Sequence, residues 1–211
     1  MLCLVADPVA AERVAALNPA TRSLAGLYAE GAPREEAYER MVAEILAPVR
    51  AGRRVCAVFY GHPGVFVAPG HAAVAAARRE GLPARMLPGV SAEDCLFADL
   101  GVDPARDGCQ TYEASAFLRR RPRVETSAAL VLWQVGVVGS REHANAPDPR
   151  ELPRLVSLLA GLYGEGHEAV VYQASPYPGV PPLVRRLRLA ELDAAAVTPL
   201  ATLYVPPQAS G

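Results

Sequence analysis

Two rhythms of apolar and polar positions alternate through the first hundred residues: short apolar runs of strand length, and longer amphipathic stretches with helical spacing. Residues 2–5 predict a strand that ends at Ala6-Asp7-Pro8, and residues 9–17 a helix that stops before Asn18-Pro19. Residues 23–28 predict a further short strand. Pro33 opens a strong helix over residues 34–50, with Glu35 and Glu36 in its first turn and Gly52 just past its end. The run at 54–60 has the composition of a buried parallel strand, stopped by Gly61-His62-Pro63-Gly64, a loop whose residues turn sharply and expose backbone N–H groups. Residues 69–80 predict a helix ended by Gly81, and residues 84–87 a second apolar strand that breaks at Pro88-Gly89-Val90-Ser91. This alternation predicts an α/β fold with a parallel sheet covered on both faces. The paired loops then lie at the carboxyl ends of adjacent strands, where open α/β sheets bind ligands.

Asp103-Pro104-Ala105-Arg106-Asp107-Gly108 gathers turn formers, which sets a domain boundary between residues 106 and 107. Beyond it, strand-like runs at 110–113, 129–135, 169–172, 183–187 and 201–205 are clearly interrupted by one long helix, 152–163. The second domain, 107–211, is therefore mixed α/β, while the first, 1–106, is a parallel α/β domain carrying both Gly-Pro loops.

Composition narrows the chemistry. With 211 residues, 51% hydrophobic, the chain can bury one large core or two modest ones. A net charge of -1 provides no basic field for phosphate backbones, so nucleic acid is disfavoured as a partner. No apolar run reaches membrane-spanning length and the start lacks a signal-peptide pattern, which predicts a cytoplasmic protein. Cys3, Cys56, Cys95 and Cys109 are scattered without metal-finger spacing and read as reduced core thiols. All 21 cationic side chains are Arg, which excludes a Schiff-base lysine and a phosphate-loop lysine. His71, His143 and His167 read as surface or capping residues, and the run from Arg119 to Arg123 as solvated, with contact to an acidic leader of a substrate as the minor alternative.

The motifs YGHPGVFV, MLPGVSAEDCLFADLG, LVLWQVG and TLYVPP, in that order over residues 4–207, resemble the tetrapyrrole-methylase superfamily. Within it, His62 between Gly61 and Pro63 resembles the borosin peptide backbone α-N-methyltransferases, where the wider superfamily carries Asp. The resemblance implies two α/β domains of the class III methyltransferase type and S-adenosylmethionine held between them. It implies that Tyr60, His62, Val65 and Phe66 border the cofactor, that Ser91 and Ala92 meet it from the second loop, and that Gln134, Tyr172, Ala201 and Thr202 approach it from the C-terminal domain. Residue physics agrees in part: Gly61 and Gly64 allow close backbone approach, and a helix starting at Ser91 aims free N–H groups at a carboxylate, although Ser91-Ala92-Glu93-Asp94 also fits a plain helix cap.

Methylating a peptide nitrogen requires a strong, fixed base, because the lone pair is delocalised into the carbonyl. Arg34 and Tyr38 stand four apart on one helix face, with Tyr28 upstream. A guanidinium beside a phenol favours the phenolate and can stabilise the imidate-like oxygen that develops. Spacing alone favours a solvated surface pair; the resemblance reverses this, since LYAEGAPREEAYERM matches the borosin motif and assigns Tyr38 as base, Arg34 as electrostatic partner and Tyr28 as a positioning or relay hydroxyl. No metal is implied. The family also leads one to expect a homodimer, a strand and Gly-rich turn ahead of residue 1, and, with no substrate tail after Pro207, a precursor peptide supplied in trans. A tetrapyrrole or other small-molecule methyltransferase, and a shortened non-catalytic binding subunit, are the remaining alternatives.

Overall fold

The computed structural model describes residues 1–28, 34–140 and 146–208; the Arg34 side chain, Pro33 and His143 lie outside the described residues. The chain divides into two compact units, Met1–Ser91 and a second from Ala92 onward.

In the first unit, strands β1 (Leu2–Leu4), β2 (Arg22–Ser23) and β3 (Ala57–Phe59) form an all-parallel sheet in the order β2-β1-β3. Helix α1 (Pro8–Leu17) is capped by Asp7, whose carboxylate accepts from the Ala10 N–H at 2.7 Å. Helix α2 (Arg34–Arg50) runs over the residues its pattern predicts, with acids first and Arg50 last, complementing its dipole. Its residues Ala37, Met41 and Ile45, four apart, make one buried stripe that packs with Leu2, Leu24 and Ala73. Helix α3 (Ala68–Arg79) lies against α2, and Arg50 clamps Glu80 with two bonds of 2.6 and 2.8 Å at their ends.

Three expected strands change. The 23–28 strand shortens to a two-residue bridge, because the Ser23 hydroxyl accepts from the Ala25 N–H and bends the chain into a 3-10 turn, Ala25–Leu27. Of 54–60 only Ala57–Phe59 pairs with β1. Residues 84–87 form no strand, although burial still alternates there: Leu82, Ala84 and Met86 are half-buried, while Pro83, Arg85 and Leu87 are exposed. The period-two pattern was real, but it finds no ladder partner among the described residues. Because β3 sits at the sheet edge, Cys56 beside it is exposed, not the core thiol expected; Cys3 is buried and all four cysteines are free.

The second unit opens with α4 (Ala92–Leu100) and the single turn α5 (Pro104–Asp107), capped by Asp103. Then come β4 (Cys109–Glu113), α6 (Ala114–Arg120), β5 (Ala129–Trp133), α7 (Glu151–Tyr163), β6 (Glu168–Gln173), β7 (Leu183–Arg188) and β8 (Thr202–Val205). The sheet order is β4-β5-β8-β6-β7, with β4 and β5 parallel and the other pairs antiparallel. Strands β5 and β8 are wholly buried, and Leu152, Leu155, Leu159 and Tyr163 of α7 cover the sheet in one core. The second unit begins at Ala92, fifteen residues ahead of the expected boundary at 106/107, and its α4 packs on β6. Helix α6 is absent from the sequence reading: Glu113 caps it through the N–H groups of Ser115 and Ala116, and Arg121 in the left-handed region ends it. Arg119 and Arg120 therefore occupy a last helical turn, where cations are favoured.

Candidate active site and cofactor loops

In the first unit the two Gly-Pro loops meet. A Cβ on Gly89 would stand 2.5 Å from the Gly61 carbonyl oxygen, so only glycine lets the second loop close on the first. A Cβ on Gly64 would meet Met86 Sδ at 2.8 Å. Exposed apolar side chains surround this contact: Tyr60 is 62% exposed, Phe66 46% and Val90 64%. His62 and Val65 are half-buried.

The loop spends its own donors. The Gly64 N–H donates to His62 Nδ1 at 3.0 Å, and the Val65 N–H donates to the His62 carbonyl at 3.1 Å. The expectation of N–H groups exposed by the 61–64 loop therefore fails at Gly64. Phe66, next along, adopts φ +56°, a conformation that costs a non-glycine residue of order 1–3 kcal/mol and clusters at functional sites.

Tyr28 and Tyr38, ten residues apart in sequence, come together with ring centroids 6.5 Å apart and planes at 76°, an edge-on contact. Both are half-buried at the margin of the α2 core, Tyr38 on the helix and Tyr28 at the end of the 3-10 turn. Arg34 lies one turn before Tyr38 on the α2 backbone, and its side chain is outside the described residues. Ser91, at the end of the second loop, is buried, and α4 begins at the next residue, Ala92, with Glu93 and Asp94 in its first turn.

The second unit gathers its four assigned residues at one end of its sheet. The Val135 N–H donates to the Ala201 carbonyl at 3.1 Å, and Thr202 pairs with Tyr172 across β8 and β6. Gln134 ends β5 with φ +58°, so two of the three described non-glycine residues at positive φ, Phe66 and Gln134, belong to the assigned set. Ala201, Thr202 and Tyr172 are buried. The Tyr172 hydroxyl is already engaged, donating to Asp99 Oδ2 at 2.6 Å and tying α4 to β6. Burial, reinforced by Asp99, pushes this phenol far above its usual range. Burial likewise pushes Tyr163 up to about 12.

These phenols make stability depend on alkaline pH. Unfolded phenols ionise near pH 10 while the folded ones keep their protons, so the folded state holds more protons above that value and stability falls as pH rises from about 10 upward. Tyr172→Phe should flatten this alkaline loss and, by removing a bond to a carboxylate, cost roughly 1.5–3 kcal/mol at neutral pH. Urea unfolding at pH 7 and pH 11 checks both.

Sequence reasoning missed a polar chain beside Gln134. Trp133 Nε1–H donates to Thr111 Oγ1 at 2.6 Å, and the Thr111 hydroxyl favours the ionised form of the nearby Glu93 carboxyl. Burial, with Asp94 beside it, outweighs that influence and raises the Glu93 carboxyl. Thr111 sits mid-strand, where a lone threonine carries no signal. Two surface grooves, about 680 Å³ at Arg78 and Gly81–Arg85 and about 600 Å³ at β7 and Ala195–Thr198, contain none of the assigned residues.

Residues 3–180 match the family model of the tetrapyrrole (corrin/porphyrin) methylases, and the chain belongs to that family. A type I borosin methyltransferase and cyclic peptide precursor of Coprinopsis marcescibilis is 41% identical over 98% of this chain and 54% of that protein. The omphalotin A methyltransferase and precursor of Omphalotus olearius is 43% identical over 97% of the chain and 50% of that protein. The chain thus spans about half the length of these relatives. Among solved structures, uroporphyrin-III C-methyltransferase of Thermus thermophilus, complexed with S-adenosyl homocysteine, superposes with a TM-score of 0.56 at 21% identity, covering 98% of this chain and 84% of that one. At that identity the likeness is one of fold.

Proposed function

We propose that this chain is an S-adenosylmethionine-dependent methyltransferase acting on backbone amide nitrogens of a peptide supplied in trans. The observation that carries the reading is identity above 40% across 97–98% of the chain to borosin methyltransferase precursors. The pairing of Tyr28 with Tyr38 supports it, since a tetrapyrrole substrate gives no reason for two phenols edge to edge beside an arginine helix turn.

The loops support the cofactor assignment: with no side chain at Gly89 the second loop closes directly on the Gly61 carbonyl, and the exposed rings of Tyr60 and Phe66 offer faces to a nucleoside. We assign His62, Val65, Ser91, Ala92, Gln134, Ala201 and Thr202 to the same task. Tyr172 serves it indirectly, because its hydroxyl is committed to Asp99. The cofactor supplies a methyl group on a sulfonium, already a good leaving group.

This chain's residues do the rest. Tyr38, as phenolate, accepts the substrate amide proton at its hydroxyl oxygen. Arg34, one helical turn away, holds that phenolate and the oxygen of the developing imidate. Tyr28 orients the Tyr38 ring edge-on. Holding the deprotonated nitrogen in line with the methyl supplies much of the rate. The assembly proposed is a homodimer in the cytoplasm; no helix among the described residues is long and apolar enough to cross a membrane.

The test is incubation of the purified chain with S-adenosylmethionine and the short peptide encoded beside its gene, followed by fragmentation mass spectrometry. Methyl masses on backbone nitrogens are expected. Methyl transfer to uroporphyrinogen and none to the peptide would overturn the peptide assignment.

A further inference from the structure

The peptide plane joining Gly64 to Val65 is gripped from both sides. Its N–H goes to the His62 carbonyl, and its C=O meets Nε2 of His71 at 2.8 Å. A carbonyl only accepts, so Nε2 of His71 carries a proton. The neighbouring plane presents the Gly64 N–H to Nδ1 of His62. A backbone N–H only donates, so that Nδ1 is unprotonated and the neutral His62 ring carries its proton on Nε2. The first turn of α3 is seated on the same loop: a Cβ on Gly70, next to His71, would stand 2.9 Å from the Pro63 carbonyl oxygen. His71 is thus no idle surface histidine. It is exposed, yet its bond to the Gly64 carbonyl fixes the plane that adjoins, through the Gly64 Cα, the one whose N–H orients the His62 ring.

We infer that His71 is a positioning residue for the cofactor loop: by holding the Gly64 carbonyl against α3 it fixes the tautomer and direction of the His62 ring and thereby the affinity for the cofactor. This rests on the cofactor assignment above. The His71 ring touches the loop and need not touch the ligand. Losing its bond frees the 64–65 plane to rotate about the glycine, which loosens the Val65 bond to the His62 carbonyl and removes the support that holds the adjoining Gly64 N–H against the His62 ring. The Gly64 carbonyl is then left to water, so folding changes little.

The experiment compares the wild type, His71→Leu and His71→Gln, the last keeping an N–H donor near the ε position. Calorimetric titration uses S-adenosylhomocysteine, thermal unfolding monitors folding, and nitrogen-15 spectra of the imidazoles report the His62 tautomer without any ligand. His71→Leu should bind about tenfold more weakly, the loss of one net hydrogen bond, with an unchanged Tm and a mixed His62 tautomer. His71→Gln should recover wild-type affinity and the Nε2–H form. Wild-type affinity in His71→Leu, or no recovery in His71→Gln, overturns the role of His71. A wild-type protein that gives no heat with the ligand overturns instead the cofactor assignment on which it rests.

Discussion

Tyr38→Phe is expected to lower the methylation rate by roughly 10²–10⁴-fold, the span that a positioned acid–base group contributes, while cofactor affinity stays unchanged. The substitution is clean because of where Tyr38 sits. Its ring packs at the edge of the cluster formed by Leu2, Ala37, Met41 and Ile45, and it meets Tyr28 edge-on at 6.5 Å. Phenylalanine keeps both contacts and deletes only the oxygen. An amide nitrogen bound without a base keeps its proton and its delocalised lone pair, so the methyl group has nothing to attack it. Single-turnover rates with a saturating peptide, together with calorimetry, separate the two effects. A fully active variant would remove Tyr38 as base, and weakened cofactor binding at an unchanged rate would make it a binding residue instead.

Gly136→Ala is expected to destabilise the protein by about 3 kcal/mol, the upper end of ordinary overpacking costs. Gly136 lies in the buried 3-10 turn after β5, where an added Cβ would overlap the Thr198 carbonyl oxygen outright and come within 2.6 Å of the Thr198 carbonyl carbon. The obstacle is backbone, which cannot swing aside as a side-chain end does. Relief requires the 198–201 segment to move, and that segment is anchored by the Ala201 N–H to the Thr198 carbonyl and by Val135 to Ala201. Displacing it also shifts Thr202 on β8 and the strained Gln134. For a chain of this size the cost corresponds to a fall in Tm of roughly 6–12 °C. A change below about 1 kcal/mol in urea unfolding would show that the close approach is not rigid.

Much of this architecture was written in local signals. Helix α2 spans its expected residues because acids, an apolar stripe at four-residue spacing and Gly52 all agree. Strands β4 to β8 announced themselves as strand-like runs in the second half of the chain. What failed is instructive. Residues 84–87 carry a faithful alternation of half-buried and exposed positions, but pairing depends on a neighbour that local pattern cannot supply. Helix α6 is seven residues long, too short for helical periodicity to rise above its arginines, and its decisive feature is a carboxylate cap at the end of β4. At the site, Gly61, Gly64 and Gly89 were legible because glycine is costly to place without cause. The resemblance grouped Tyr28 with Tyr38, which spacing did not, and the edge-on contact of their rings is visible only in the fold. The engagement of Tyr172 with Asp99, seventy-three residues earlier, depends on α4 packing on β6 and leaves no trace in either local stretch.

Glycine loops between a strand and a helix commonly cradle phosphates, using a fan of unspent amide protons. Here the amides of Gly64 and Val65 are turned inward onto His62. This stretch therefore has little to offer a triphosphate, so ATP should be a poor competitor there despite sharing adenosine with S-adenosylmethionine.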